Sequence, residues 1–177
     1  MIRTIRSRMK RESTPRILIL GLDNAGKTTI LRKLEGEDSA AAAPEGPTQG
    51  FNVKTLALGQ GRQGKFCDLG GQRTLRDFWK DYYESTDCLM FVVDSSDQRR
   101  LEEAHETFKE VIDALPRVPI LVLANKQDLA TAKEHSVIAE VLELVECRDR
   151  RWEILPCSAK TGTGLEEGLS WIMTVCK

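Results

Sequence analysis

Six short apolar runs alternate along this chain with longer stretches in which apolar residues recur every three or four positions. Most of the runs carry few charges and are rich in valine, isoleucine and leucine, which is typical of strands buried on both faces. Strands that alternate with amphipathic helices predict a mostly parallel sheet covered by helices on both sides. The predicted strands are 16–20, 51–58, 65–67, 88–93, 119–124 and 152–157.

The stretches between these strands predict helices, most clearly over 98–115, 137–145 and 165–176. The run 51–58 is followed by GQGRQG, a glycine-rich turn that indicates an antiparallel hairpin at one edge of the sheet. A chain of 177 residues is long enough for one buried core and too short for two ordinary domains. We therefore expect a single domain over 16–177, preceded by a basic amphipathic segment over 1–15.

Composition argues against several classes of function. The net charge is -1 and no aromatic and basic RNA-binding pattern occurs, so nucleic-acid binding is not expected. The five cysteines have no metal-binding spacing and are odd in number, which indicates no disulfide framework or zinc site. The longest apolar runs are far shorter than the roughly 18 residues that a membrane span needs, so a soluble protein is expected. Ile2 excludes N-myristoylation, which requires glycine at that position.

The segment GLDNAGKT follows the first predicted strand and opens a helix, the context in which G-x-x-x-x-G-K-[ST] binds phosphates. Its glycines let backbone N–H groups turn inward around phosphates, and the start of the helix adds partial positive charge. Lys27 is expected to bridge the outer phosphates and Thr28 to bind Mg²⁺. An ordinary glycine-rich turn is the alternative. The predicted nucleotide-binding residues here are Asp23, Asn24, Ala25, Gly26, Lys27, Thr28 and Thr29.

The segment NKQD, which ends the fifth predicted strand, predicts the base of the nucleotide. The carboxylate of Asp128 can accept from two neighbouring donors, and guanine offers such a pair in its N1–H and exocyclic amine, whereas adenine does not. CSAK, at the end of the next strand, would complete the base pocket through the Ser158 side chain and the Ala159 backbone. The predicted base-binding residues are Asn125, Lys126, Asp128, Ser158, Ala159 and Lys160.

The segment DLGGQ follows the third predicted strand. Asp68 can hold a water of the Mg²⁺ shell, and Gly71 can offer its N–H to the γ-phosphate without an intervening side chain. Gln72 is then placed to orient the attacking water, and because an amide is not a strong base its role is positioning. The predicted catalytic residues are Gln72, Lys27 and Gly71. No arginine is evidently placed to act in cis, so we expect slow hydrolysis that needs an activating protein.

GLDNAGKTT, PTQGFN, DLGGQR, NKQD and CSAK occur in this order over nearly the whole chain, and together they resemble the Arf and Arf-like small GTPases. The resemblance implies a P-loop NTPase G domain of the α/β class that binds GTP or GDP with Mg²⁺. Its sheet has six strands, mostly parallel, with one antiparallel edge hairpin. The resemblance makes Thr48, in switch I, a Mg²⁺ ligand in the GTP state, beside Thr28 and, through water, Asp68. It also makes Gly70 a hinge of switch II.

The resemblance further implies a monomeric switch that acts with an exchange factor, a GTPase-activating protein and effectors. Phe51, Cys67 and Tyr82 occupy an effector-contacting trio, in which Cys67 stands where the family usually has tryptophan. Relatives release lipidated cargo from soluble carrier proteins in the GTP state. The protein is expected in the cytoplasm, with membrane, Golgi, cytoskeletal or ciliary association in the course of intracellular protein and vesicle transport.

Residues 1–11 combine Ile2, Ile5 and Met9 with interleaved basic residues. Such a segment can form an amphipathic helix that touches anionic lipid weakly. The resemblance implies that the GTP form expels this helix as the hairpin between the switches moves. A solvated basic tail is the alternative, because the apolar face is narrow.

Other functions stay open from the sequence. One is a GTP-binding adaptor that hydrolyses GTP poorly and whose partners detect only whether nucleotide is bound. Another is an Arf-type recruiter in membrane traffic with different effectors. A P-loop nucleotide kinase is disfavoured, because NKQD specifies guanine and the chain has no phosphoacceptor domain.

Overall fold

The computed structural model describes residues 14–36 and 46–176, so the predicted segment 1–15 lies almost entirely outside the described part of the chain. A six-stranded sheet forms the centre, with strand order β2-β3-β1-β4-β5-β6. The strands are β1 (Arg16–Leu20), β2 (Phe51–Gly59), β3 (Arg62–Leu69), β4 (Cys88–Asp94), β5 (Ile120–Asn125) and β6 (Trp152–Pro156).

All strand pairs are parallel except β2 with β3, which form the antiparallel hairpin at one edge. This confirms the predicted sheet. Strands β1, β4 and β5 are buried on both faces, which explains why they read as unbroken apolar runs. Because they are parallel, their carboxyl ends meet at one edge of the sheet, where ligands bind in folds of this kind.

Within residues 14–36 and 46–176, four α-helices cover the sheet: α1 (Lys27–Leu34), α2 (Leu101–Ala114), α3 (His135–Val141) and α4 (Leu165–Val175). One apolar cluster lies on the side of α2 and α3 and includes Phe91 and Phe108. The other lies on the side of α1 and α4 and includes Ile17 and Phe66. Among the described residues, no helix is long and apolar enough to cross a membrane.

Residues Arg73–Ser85 form a run of 3₁₀ turns that the sequence analysis does not predict. Only Trp79 and Tyr83 of this run are buried. The two lie four residues apart and pack into the cluster on the α2 side of the sheet. No side-chain cap bond is present at Gln72, where the run begins, so the usual signal of a helix start is missing.

The tip of the β2–β3 hairpin is tied to the end of α4. The guanidinium of Arg62 donates one hydrogen bond to the carbonyl of Met173 at 3.2 Å and another to the carbonyl of Cys176. The last carbonyls of a helix have no partner within the helix, so a cation is favoured there. This bond pair holds the hairpin and α4 in one arrangement.

Phe108→Ala should lower the free energy of unfolding by about 3–5 kcal/mol, because it empties a fully buried site. The substitution also removes the edge contact between the rings of Phe108 and Phe91, whose centroids lie 5.1 Å apart. The measurement is urea denaturation under identical solution conditions for the two proteins.

Phe78→Ala is the matched control, since this ring is 61% exposed and its loss should cost about 0.5 kcal/mol or less. Equal losses for the two variants would contradict the described core.

Candidate functional site

The loop between β1 and α1, residues 21–26, has the tight backbone that the sequence pattern predicts. Gly21, Asn24 and Gly26 all have positive φ, a conformation that favours glycine. A Cβ on Gly21 would collide with the backbone of Val92 in β4. We call this segment the phosphate loop. Its shape depends on glycine at the position where it crosses the neighbouring strand.

Lys27, the first residue of α1, is almost buried, with 5% of its surface exposed. Its ammonium donates to the carbonyls of Gly21 at 3.1 Å and Leu22 at 2.8 Å, so the side chain folds back over the phosphate loop. Burial lowers the pKa of Lys27 to about 8, and the Asp68 carboxylate partly opposes that change. The position therefore favours a nearby anion, which would stabilise the charged amine.

The carboxylate of Asp23, awkward in a loop that is predicted to receive phosphates, is paired with Arg100. The guanidinium of Arg100 donates to Asp23 Oδ1 at 2.8 Å and to the Asp23 carbonyl at 3.1 Å. The hydrogen bond from Arg100 lowers the pKa of Asp23 below its usual range. The negative charge within the phosphate loop is thus compensated by a residue just before α2.

The three residues predicted to hold Mg²⁺ lie together beside the phosphate loop. The hydroxyl of Thr28 donates to Asp68 Oδ2 at 2.5 Å and lies 2.6 Å from the hydroxyl of Thr48. Asp68 is fully buried and its Oδ1 has no hydrogen-bond partner. Burial raises the pKa of Asp68, although the Thr28 hydrogen bond opposes this. A buried carboxylate oxygen without a partner beside two hydroxyls is a set of hard oxygen donors that suits Mg²⁺.

The residues predicted to bind the base converge on the same edge of the sheet. Asn125 donates to the Ala25 carbonyl at 2.9 Å and accepts from the Ala159 N–H at 3.0 Å. Lys126 donates to the Asn24 carbonyl at 2.8 Å, so NKQD contacts the phosphate loop directly. A Cβ on Gly26 would fall on the Asn125 amide. This close approach requires glycine.

Asp128 accepts a hydrogen bond from Ser158 at 2.7 Å, which joins NKQD to CSAK. The other predicted residues, Thr29 and Lys160, are exposed. The structure therefore places NKQD, CSAK and the phosphate loop in one contact group, with these two residues at its solvent-facing side.

The segment that the resemblance makes switch II follows β3 directly, from Gly70 onward. The N–H of Gly70 donates to the Gly50 carbonyl at 3.0 Å. A Cβ on Gly71 would lie 2.5 Å from the nitrogen of Asp23, so the bare backbone of Gly71 rests against the phosphate loop. Gln72 is partly buried, and its side chain makes no hydrogen bond within the described residues. Within the described part of the chain, no hydrogen bond therefore fixes the Gln72 amide in another position.

A chain of ion pairs that the sequence analysis missed links switch II to the phosphate loop. Arg76 donates to the Gly71 carbonyl at 3.0 Å and to Glu103 at 2.8 Å. Glu103 also accepts from Arg100 at 2.9 Å, and Arg100 in turn binds Asp23. Hydrogen bonds from Arg100 and Arg76 lower the pKa of Glu103 to about 2. The i,i+3 spacing of Arg100 and Glu103 was the one local signal of this network.

The geometry joins a loop of the P-loop type to NKQD and CSAK at one edge of a mostly parallel sheet. A sequence profile of the ADP-ribosylation factor family matches residues 1–176, so the chain belongs to the ADP-ribosylation factor family. Proteins of this family are small GTPases that bind guanine nucleotide and act as switches, regulated by exchange and activating factors.

Within the family, the segments PTQGFN (47–52) and RDRRW (148–152) predict that the chain is most similar to Arf-like protein 3, with Arf-like protein 2 as the near sibling. Two relatives confirm this prediction. The chain is 46% identical over 179 residues to ADP-ribosylation factor-like protein 3 of Chlamydomonas reinhardtii, covering 100% of this chain and 99% of that protein. It is 42% identical over 175 residues to ADP-ribosylation factor-like protein 2 of Dictyostelium discoideum, covering 98% and 93%.

A solved structure is also similar to this one. It is the Arl6 BBS3 small GTPase from Trypanosoma brucei, with the nucleotide analogue GppNp bound in that protein. The TM-score is 0.81 at 32% sequence identity, and the match covers 93% of this chain and 98% of that one.

Glu103 should make stability depend on pH in the acid range. Its folded pKa of about 2 lies below the ordinary 4.5, so its stabilising contribution is complete above 4.5 and is lost as pH falls toward 2. Glu103→Gln should therefore show a shallower loss of unfolding free energy across this window, measured by urea denaturation at a series of pH values.

The neighbouring Glu102→Gln is the matched control, because Glu102 is exposed and has no ion pair within the described part of the chain. A pH dependence of the Glu103→Gln variant identical to that of wild type would contradict the paired state of Glu103.

Proposed function

We propose that this protein is a GTP/GDP molecular switch that hydrolyses GTP slowly with Mg²⁺ and whose GTP state binds effectors in intracellular traffic. One observation carries the proposal: Thr28, Thr48 and Asp68 meet beside the phosphate loop, with Gly71 resting against that loop. Switch I, switch II and the phosphate loop therefore lie next to one another. A terminal phosphate and its metal ion would contact all three segments there.

Asp128, linked to Ser158, is the residue we assign to guanine recognition. Its carboxylate can accept from both donors on the guanine edge. The Ala159 backbone, held by Asn125, and Lys126, which bonds to the phosphate loop, would form the other walls of the base pocket. The base is thereby fixed relative to the phosphates.

The residues present fit a bound Mg²⁺. Thr28 and Thr48 would be direct ligands and Asp68 would act through a water. When bound, the ion neutralises charge on the β- and γ-phosphates. Lys27 would exchange its two carbonyl contacts for the outer phosphates, and the Gly71 N–H would meet the γ-phosphate. Gln72 would orient the attacking water.

Slow intrinsic hydrolysis follows from the placement of the arginines. Arg76 and Arg100 are the guanidiniums we find near the phosphate loop within the described residues, and both are engaged. Neither is available to stabilise charge on the transferred phosphate. An arginine supplied by a partner accelerates the reaction by about 10³–10⁵-fold in GTPases that use one, so we propose that an activating protein is needed.

Gln72→Leu should bind GTP with wild-type affinity and hydrolyse it about 100-fold more slowly, since the attacking water is no longer oriented. The measurement is single-turnover hydrolysis of bound GTP.

Gln63→Leu, on the exposed side of β3, is the matched control and should hydrolyse GTP normally. A wild-type rate of GTP hydrolysis by Gln72→Leu would contradict the role of Gln72 in orienting the attacking water. If hydrolysis is absent in the wild type, even with activating proteins present, the alternative of a hydrolysis-poor adaptor is correct.

We place the effector surface at Phe51, Cys67 and Tyr82. Phe51 is 62% exposed, and its ring centroid lies 6.3 Å from that of Tyr82. Cys67 sits opposite Val53 in the hairpin, at a cavity of about 110 Å³ that Leu18 and Tyr82 also line. An exposed apolar group of this kind is suited to a protein partner, and carriers of lipidated proteins are the partners that we propose.

Loaded with a non-hydrolysable GTP analogue, the protein should release a fluorescent lipidated peptide from a lipid-shielding carrier, and loaded with GDP it should not. Cys67→Trp should fill the cavity and enlarge the apolar contact, so that release needs about tenfold less protein.

Cys147→Ser, at a buried cysteine in the apolar cluster on the α2 side of the sheet, serves as the control for loss of a thiol. Weaker release by Cys67→Trp would instead mean that the cavity receives a side chain of the carrier. No release in either nucleotide state, with loading verified, would favour an Arf-type recruiter with other effectors.

A further inference from the structure

The peptide bond between Gly70 and Gly71 is held from inside the core by a tryptophan. The indole N–H of Trp79 donates to the Gly70 carbonyl at 3.0 Å. Trp79 is 2% exposed and packs in the cluster on the α2 side of the sheet. The donor therefore has a fixed position, and the carbonyl has a buried partner of defined direction.

In a trans peptide the carbonyl and the following N–H point in opposite directions. No cis peptide is present in the described chain. The Trp79 bond draws the Gly70 carbonyl toward the core, so the Gly71 N–H is turned the other way. Gly71 is buried, and its N–H donates to no acceptor within the described residues. A buried N–H without a partner is rare and costly, which points to an anionic ligand.

A second bond fixes the next peptide. Arg76 donates to the Gly71 carbonyl at 3.0 Å, and its other nitrogens bind Thr107 and Glu103 on α2. The peptides on both sides of Gly71 are thus anchored through their carbonyls. Glycine gives this segment no stiffness of its own, so its orientation depends on these two donors.

We propose that Trp79 is a positioning residue whose indole N–H, through the Gly70 carbonyl, aims the Gly71 N–H at the γ-phosphate of GTP. This inference rests on the proposed function, in which Gly71 contacts that phosphate. GDP lacks the γ-phosphate, so the effect of Trp79 is confined to the triphosphate. The ratio of affinities for a GTP analogue and for GDP is therefore the quantity to measure.

Trp79→Phe keeps an aromatic ring in the core and removes the donor. The affinity for GppNHp should fall about three- to tenfold relative to the affinity for GDP, measured by displacement of a fluorescent nucleotide. Incorporation of β-(3-benzothienyl)alanine at position 79, in which sulfur replaces the indole N–H, should give the same change with the ring shape retained. Trp171→Phe, on α4, is the matched control and should leave the ratio unchanged.

Gly71→Ala tests the premise separately. The new Cβ would clash with the phosphate loop and move the Gly71 N–H away from the γ-phosphate, so Gly71→Ala should lower the affinity ratio. Gly46→Ala, where the Cβ would lie in open space, should leave the ratio unchanged. If Gly71→Ala leaves the ratio unchanged, the proposed γ-phosphate contact fails. If Gly71→Ala lowers the ratio but both changes at Trp79 leave it unchanged, or weaken the two nucleotides equally, Trp79 has only a packing role and this inference is overturned while the switch function stands.

Discussion

The ligand-facing edge of the sheet depends on one buried amide. Asn125, 1% exposed at the end of β5, donates to the Ala25 carbonyl and accepts from the Ala159 N–H. Each of these backbone groups would otherwise be left unpaired at a cost of about 1–3 kcal/mol. The length of one side chain therefore sets the separation between the phosphate loop and the segment after β6. The rest of the site is built on that spacing.

The charged side chains around the phosphate loop form a connected series of ion pairs. The phosphate loop, which is suited to anions, itself contains the negative charge of Asp23. This charge is neutralised by Arg100, and the alternating series continues through Glu103 on α2 to Arg76 in switch II. Each charge in the series has an opposite neighbour, so the carboxylate of Asp23 is compensated within the protein. The same series engages both arginines, Arg76 and Arg100, in bonds within the protein. This engagement supports the proposal that hydrolysis is slow without a partner's arginine.

Local patterns in the sequence were sufficient to predict the sheet, and the candidate site residues that they indicated lie together at one edge of it. The strand 16–20 has the predicted bounds, since its apolar run and the glycine that ends it are both short-range signals. NKQD and CSAK were predictable as neighbours, because each comes at the end of an apolar run and the carboxyl ends of parallel neighbouring strands meet at one edge of the sheet. The pairing of Arg100 with Asp23 was not predictable, because it joins residues 77 positions apart that have no shared pattern. The 3₁₀ run Arg73–Ser85 was also not predictable from a local pattern, because the packing of Trp79 and Tyr83 into the core holds it in place.

The tether between the β2–β3 hairpin and α4 limits how the hairpin can move. Gly64, Phe66 and Asp68 face the core, whereas Lys65 lies outside it, so a slide of β3 along β1 by one residue would bury a lysine. A slide that preserves the core must cover two residues, about 6.6 Å. Such a step carries Arg62 away from the carbonyls of Met173 and Cys176. A slide of this hairpin would therefore occur in steps of two residues, and each step would break the bonds between Arg62 and the end of α4.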